Sequence, residues 1–265
     1  MSANQKLKLF LILWAVGTLG VVSFFLLVDL DRLIASFPIP AGTEVPAFTP
    51  LIKILSMIQP TVLVAISTMI GVALAHKVGL SSPVAEAAAK SESLLEPLRT
   101  QIVPGVVGGL LGGIAIVAVA AIFNLSLPSG AAERISEFGK LIPLATRILY
   151  GGITEEVLLR WGFMTLLVWA AWRILQKGQG RPSTAHFVGA IITSSVIFGI
   201  GHLPIAYMLF PEKTIALTLF VVVGNSVFGL IAGYLYWRRG LESAIIAHML
   251  THVVLYIASY LGAYF

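Results

Sequence analysis

The sequence predicts an all-α protein, a polytopic membrane helix bundle with about seven or eight transmembrane helices. Two observations carry that prediction. Hydrophobic residues make up 58% of the 265 residues and charged residues 11%, whereas ordinary soluble domains are about 25% charged. The apolar residues also fall into stretches of about 20, the length at which a helix spans the hydrocarbon core of a bilayer.

The first stretch, near residues 8–28, follows Lys6 and Lys8 and exceeds the roughly 7–15 residues of a signal-peptide core, so it reads as a retained helix. "ASFPIPAGTEVPAFTP" is too rich in proline for a helix interior and reads as a surface loop. A second span lies near 52–75. The segment 76–102 alternates in charge and is rich in helix formers after Pro83, which predicts a short amphipathic helix at the membrane surface. The third span, near 103–125, contains "GGLLGG", and small residues four apart let helix backbones approach closely in lipid. A weaker apolar segment at 141–152 is the candidate eighth crossing. Spans near 153–175, 186–207, 214–236 and 243–263 complete the set, with Gly229 and Gly233 repeating the four-residue spacing. They leave no room for a soluble domain, so residues 1–265 read as one integral membrane domain.

The net charge is +5, but no basic cluster with interleaved aromatics is present, so nucleic acid is not an expected partner. The basic residues sit beside the spans instead. Lys6 with Lys8, then Lys77, Lys90 and Arg99, then Lys177 and Arg181, and finally Arg238 and Arg239 mark alternate ends of seven crossings, which should be cytoplasmic. The chain has no cysteine, which removes disulfides, thiol nucleophiles and thiolate metal sites. No internal repeat is evident, which argues against a two-fold transporter.

Of the twelve acidic residues, only Glu155 and Glu156 lie inside an otherwise apolar segment. A charge at the bilayer centre costs upward of about 2.5 kcal/mol, so such a group marks a functional site facing the bundle interior or a wet cavity. On an α-helix residues four apart share a face, which pairs Glu156 with Arg160 and leaves Glu155 on the neighbouring face without a cation. Three of the five histidines, His202, His248 and His252, also lie in apolar sequence. His248 and His252 share one helix face, and Phe198 shares that of His202, with Gly199 and Gly201 leaving the backbone open. Asn225, Ser226, Ser194, Ser195, Thr193 and Arg147 read as interhelical hydrogen bonders.

Glu-Glu-x-x-x-Arg at Glu155, Glu156 and Arg160, Phe-x-x-x-His at Phe198 and His202, and the late His-x-x-x-polar pair at His248 and His252 together resemble the CPBP intramembrane proteases, the CAAX prenyl endopeptidase and bacteriocin-processing (Abi-like) group. The resemblance covers about residues 140–260, with 1–130 supplying N-terminal helices. Two departures stand out. Leu159 and Trp161 flank the arginine where the family often has Phe and Gly, and His252 stands where Asn is common.

The resemblance implies an intramembrane endopeptidase acting on membrane-associated protein or peptide substrates within the lipid bilayer. Glu155 would be the general base, His202 would position the water, and His248 with His252 would lie on the oxyanion side. Glu156, Arg160 and Phe198 would support them. No cofactor is expected on this reading. The alternative keeps the same atoms, because Glu155, His202, His248 and His252 also make a reasonable zinc set; a non-enzymatic ion or proton carrier, or a scaffold, is the remaining class. The expected location is a bacterial inner (plasma) membrane. One geometric difficulty stands: His202 lies roughly 24 Å into its span from the cytoplasmic end and His248 only about 9 Å from its own, at about 1.5 Å per residue, yet the two must meet.

Overall fold

A computed structural model of the chain describes residues 1–39, 42 and 47–262. Residues 40, 41 and 43–46 of the expected Pro-rich loop, and residues 263–265 at the end of the last expected span, lie outside the described residues. Among the described residues every regular element is helical, in the order α1 (Ala3–Leu27), α2 (Leu30–Ala35), α3 (Pro50–Val78), α4 (Pro83–Lys90), α5 (Leu95–Phe123) and α6 (Ala131–Lys140). The chain continues through α7 (Leu144–Leu175), α8 (Thr184–Gly201), α9 (Leu203–Leu209), α10 (Ile215–Arg238) and α11 (Leu241–Tyr260). Seven of these, counting α8 with α9 as one, are long and apolar enough to cross a membrane. The chain is an integral, multi-pass membrane protein.

The candidate eighth crossing at 141–152 is not separate. It is the first part of α7, which runs unbroken from Leu144 to Leu175. Arg147, Gly151, Gly152 and the two glutamates lower the hydropathy of that part, which makes one long helix look like two segments. The helix expected after Pro83 is present as α4, but it is not a surface helix. Ala85, Glu86, Ala87 and Ala89 are all buried. Polar partners make that burial affordable, since a buried carboxylate needs hydrogen bonds. Glu86 Oε1 accepts from the Ser82 amide at 2.9 Å, and Glu242 Oε1 accepts from Ser82 Oγ at 2.6 Å and from the Val84 and Ala85 amides at 3.0 Å each. These bonds pin the first turn of α11 to the start of α4.

The glycine stripes do what their spacing predicts. A Cβ at Gly109 would sit 2.7 Å from the Ala247 carbonyl oxygen and 2.7 Å from Leu250 Cβ, and one at Gly113 would sit 2.6 Å from Val254 Cβ. These contacts advance four residues at a time on both helices, so α5 and α11 run parallel in close contact. On α10, Gly229 abuts Ser195 and Gly233 abuts Ile191 of α8, which sets those two helices antiparallel.

The two ends of the bundle differ. At one end the loops after α3, α7 and α10 meet α4 and the N-terminus. At the other, an apolar cluster of Val28, Leu33, Ala131, Phe210 and Leu217 gathers α2, α6 and α9 over the ends of the crossing helices. Helix α6 was not foreseen. Its ten residues put Ile135 and Phe138 against this cluster while Glu133, Glu137 and Lys140 stay exposed.

Candidate active site

The site is built on α7, whose winding is unusual. From Arg147 to Glu155 and from Val157 to Met164 the helix is π, with hydrogen bonds closing over five residues in place of four. Side chains follow the same step: Thr165 Oγ1 donates to the Arg160 carbonyl at 3.2 Å. Small residues let neighbours close on this wider helix. Gly17 and Gly20 of α1 lie against Val157 and Thr154 respectively, and Gly151 and Gly152 admit His252 and Met249 of α11.

The adjacent glutamates separate as the sequence predicts. Glu156 is sealed in the bundle with 0% of its side chain exposed, and its Oε1 lies 3.3 Å from Arg160 Nη1, which is equally buried. Arg160 is held further by donation from Nη2 to the Gly229 carbonyl at 3.1 Å and by the ring of Phe198, 5.1 Å from its guanidinium carbon. Trp161, the unusual neighbour of the arginine, is fully buried against Gly71 of α3 and donates from Nε1 to the Thr68 carbonyl at 3.3 Å. Glu155 retains 19% exposure. That residual exposure is to a cavity of about 870 Å³ that Glu155 shares with Phe198, His202, His248 and His252. All four sequence-predicted catalytic residues therefore line one space.

Two of the three histidines, His202 and His248, are oriented through Nδ1. His202 occupies the break between α8 and α9, and its Nδ1 lies 2.8 Å from the Phe198 carbonyl oxygen. A carbonyl only accepts, so Nδ1 carries the proton and the neutral ring offers a lone pair at Nε2. His248 Nδ1 lies 2.8 Å from Glu156 Oε1, the oxygen already facing Arg160. It too is the donor, which leaves Nε2 toward Glu155 Oε2 at 3.9 Å, outside hydrogen-bond reach. The His252 ring stacks on that of His248 with centroids 4.9 Å apart, and its Nε2 is buried without a hydrogen-bond partner.

Phe198 stands between His202 and His248. Its ring stands edge-on to both imidazoles, 4.8 Å from His202 and 5.8 Å from His248. The two histidines thus face a shared cavity across one phenyl ring, closer than depths counted along untilted helices with level ends would place them, as tilt and stagger of the spans allow. Gly199, expected to open the backbone, is instead filled by α10, where Val222 and Ser226 lie against it, while Gly201 has open space.

Two further cavity residues were not singled out for chemistry. Tyr150 stands five residues before Glu155 and lines the same cavity, with its ring 5.7 Å from that of Phe24; the five-residue step of a π-helix puts the two on one face, a relation no α-helical reading gives. Asn225 does not bond between helices as expected. Its Nδ2 donates within α10 to the Val221 carbonyl at 2.8 Å, and it too lines the cavity. Ser226 does bond between helices, to the Ser195 carbonyl at 3.1 Å, whereas Ser194 and Ser195 both bond to Ile191 of their own helix. Arg147 turns back to the Ile142 and Gly139 carbonyls at the cavity's α6 end.

Among the described residues no three His, Asp or Glu side chains are gathered where they could hold an ion.

Residues 137–254, somewhat under half of the chain, match the family model of type II CAAX prenyl endopeptidase Rce1-like proteins. The matched range contains Glu155, Glu156, Arg160, Phe198, His202, His248 and His252, and it agrees with the CPBP resemblance. No curated protein and no solved structure matches the chain.

Proposed function

From the premise that residues 137–254 fall in the Rce1-like family, which implies a CAAX-type intramembrane protease, we propose that the chain hydrolyses peptide bonds of membrane-associated substrates with a water activated by Glu155. The observation that carries this reading is the split between the two glutamates. One is spent on a sealed ion pair, while the other faces a cavity large enough for a peptide segment and shared with three imidazoles.

The chemistry follows from those positions. A water in the cavity gives its proton to the Glu155 carboxylate as its oxygen attacks the scissile carbonyl carbon, and the carbonyl electrons become an oxyanion. Collapse of that intermediate reforms the C=O bond, breaks the C–N bond and sends the proton from Glu155 to the leaving amine. His202, with a lone pair at Nε2, accepts from the water and orients it. His248 and His252 lie on the oxyanion side; with Nδ1 held by Glu156, His248 donates from Nε2 only when doubly protonated. Glu156, Arg160 and Phe198 fix the imidazole of His248 and the α7 backbone. No step needs a metal, and the scattered donors support a cofactor-free site.

The test compares membranes from cells expressing the wild type and Glu155→Ala, with new protein termini mapped by mass spectrometry. Precursors should accumulate uncleaved in the variant. Identical termini in the two membranes would overturn the protease reading.

A further inference from the structure

Among the described residues, the cavity opens toward one end of the bundle. Its walls come from the end of α1 (Phe24), the start of α3 (Gln59), helix α6 (Ile135), the start of α7 (Tyr150), the end of α8 (His202) and the end of α11 (Ser259). No lining residue comes from the opposite end, where α4 and the loops after α3, α7 and α10 meet. Charge divides along the same axis. That closed end carries ten of the seventeen Lys and Arg residues, including Lys6 and Lys8 in the first turns of α1, Lys177 and Arg181 after α7, and Arg238 and Arg239 at the end of α10. The open end carries six, and Arg160 is buried between them. Lys and Arg beside short loops stay on the cytoplasmic side during insertion, and the residues before the first helix weigh heavily in that choice.

Taken together, the geometry points to a site that opens away from the cytoplasm, and we propose that its substrates are peptide segments held at the non-cytoplasmic leaflet, such as the membrane-anchored part of an exported chain. This rests on the protease reading above and specifies its substrate class. The lipidated tail of a cytoplasmic protein approaches from the wrong face. It would have to cross the part of the bundle where Glu86, Ser82, Gln101 and Ser243 are hydrogen-bonded and buried, with half-buried Glu242 bonded to Ser82. An entrant from the open face meets apolar walls, Phe24, Leu63 and Ile116, then the polar floor of Glu155, His202 and Asn225. That order suits a hydrophobic segment with its scissile bond leading.

The native chain contains no cysteine, so single substitutions report without background. Ser136→Cys on the cavity side of α6, Glu137→Cys on its exposed side and Gln179→Cys in the loop after α7 are expressed separately and treated with a membrane-impermeant maleimide, in intact cells and after permeabilisation. The two α6 positions should label fully in intact cells, and Gln179→Cys should gain its labelling, at least tenfold, only on permeabilisation. The opposite pattern overturns the proposal. The protease reading fails independently: if the α6 positions label from outside but Glu155→Ala accumulates no precursor, the orientation stands and the enzyme does not. If precursors accumulate and their uncleaved sites lie on the cytoplasmic side, the enzyme stands and this substrate class is wrong.

Discussion

Glu155 and Glu156 differ by one position and should differ in what their loss does. Removing one partner of a buried ion pair leaves an uncompensated charge, typically costing about 3–5 kcal/mol. Glu156→Ala and Arg160→Ala should therefore lower the unfolding midpoint in detergent sharply, whereas Glu155→Ala should unfold as the wild type does and show no cleavage. A Glu155→Ala protein that still cleaves, beside folded but inactive Glu156→Ala, would reverse the roles. His252 tests the cofactor. On the cofactor-free reading its imidazole acts as a hydrogen-bonding group and an amide can replace it, so His252→Asn should stay active and His252→Leu should lose about 10²–10³ in rate, one oxyanion donor's worth. Prolonged chelation should leave the wild type unchanged; loss of activity restored by stoichiometric zinc would contradict the cofactor-free reading. Asn225 offers a second donor. Neutral His202 and His248 present lone pairs, while Asn225 has spent one N–H on Val221 and keeps the other. Asn225→Ala and Asn225→Leu should be slowed alike, by about 10²-fold, without loss of thermal stability. If Leu restores the rate that Ala loses, the side chain only fills space. The histidines and glutamates were legible in the sequence because ionisable groups stand out in apolar runs. Asn225 and Tyr150 were not, since a neutral polar residue in a span is usually a helix-to-helix bond, and only the cavity distinguishes them.

Helices were the most legible level, with instructive failures. The "GGLLGG" stripe announced close packing, and α5 does lie against α11 through it. Gly109→Leu should lower the detergent unfolding midpoint, because overpacking a close contact costs typically about 1–3 kcal/mol. Gly189→Leu is the control, as nothing lies within 4 Å of a Cβ placed there. Equal midpoints for the two variants would mean that the stripe carries no packing. The π-winding of α7 was invisible, since α and π helices of this length accept the same apolar composition. The Glu156–Arg160 pairing survived that error because residues four apart remain close on either helix. Helix α6 was missed for a different reason: ten residues of mixed polarity fall below any span criterion, and only the cluster beneath them explains why they order.

The whole bundle shows what a linear reading leaves out. Span count, loop charge and the chemical set were all in the sequence, but the cavity is lined from all seven described spans and from α2 and α6, and no single stretch encodes it. The depth mismatch between His202 and His248 came from counting residues along untilted helices with level ends, whereas one phenyl ring separates the two imidazoles. The arrangement also bears on how the protein is made. The proposed groups sit on the fourth, fifth and seventh of the described spans, and Glu156 holds an imidazole that belongs to the last one. A chain emerging from the ribosome has Glu155, the proposed base, in the bilayer three crossings before it has His248 or His252. On the proposed mechanism no partly synthesised molecule could cut, and the proposed site would be complete only when the seventh described span docks along α5.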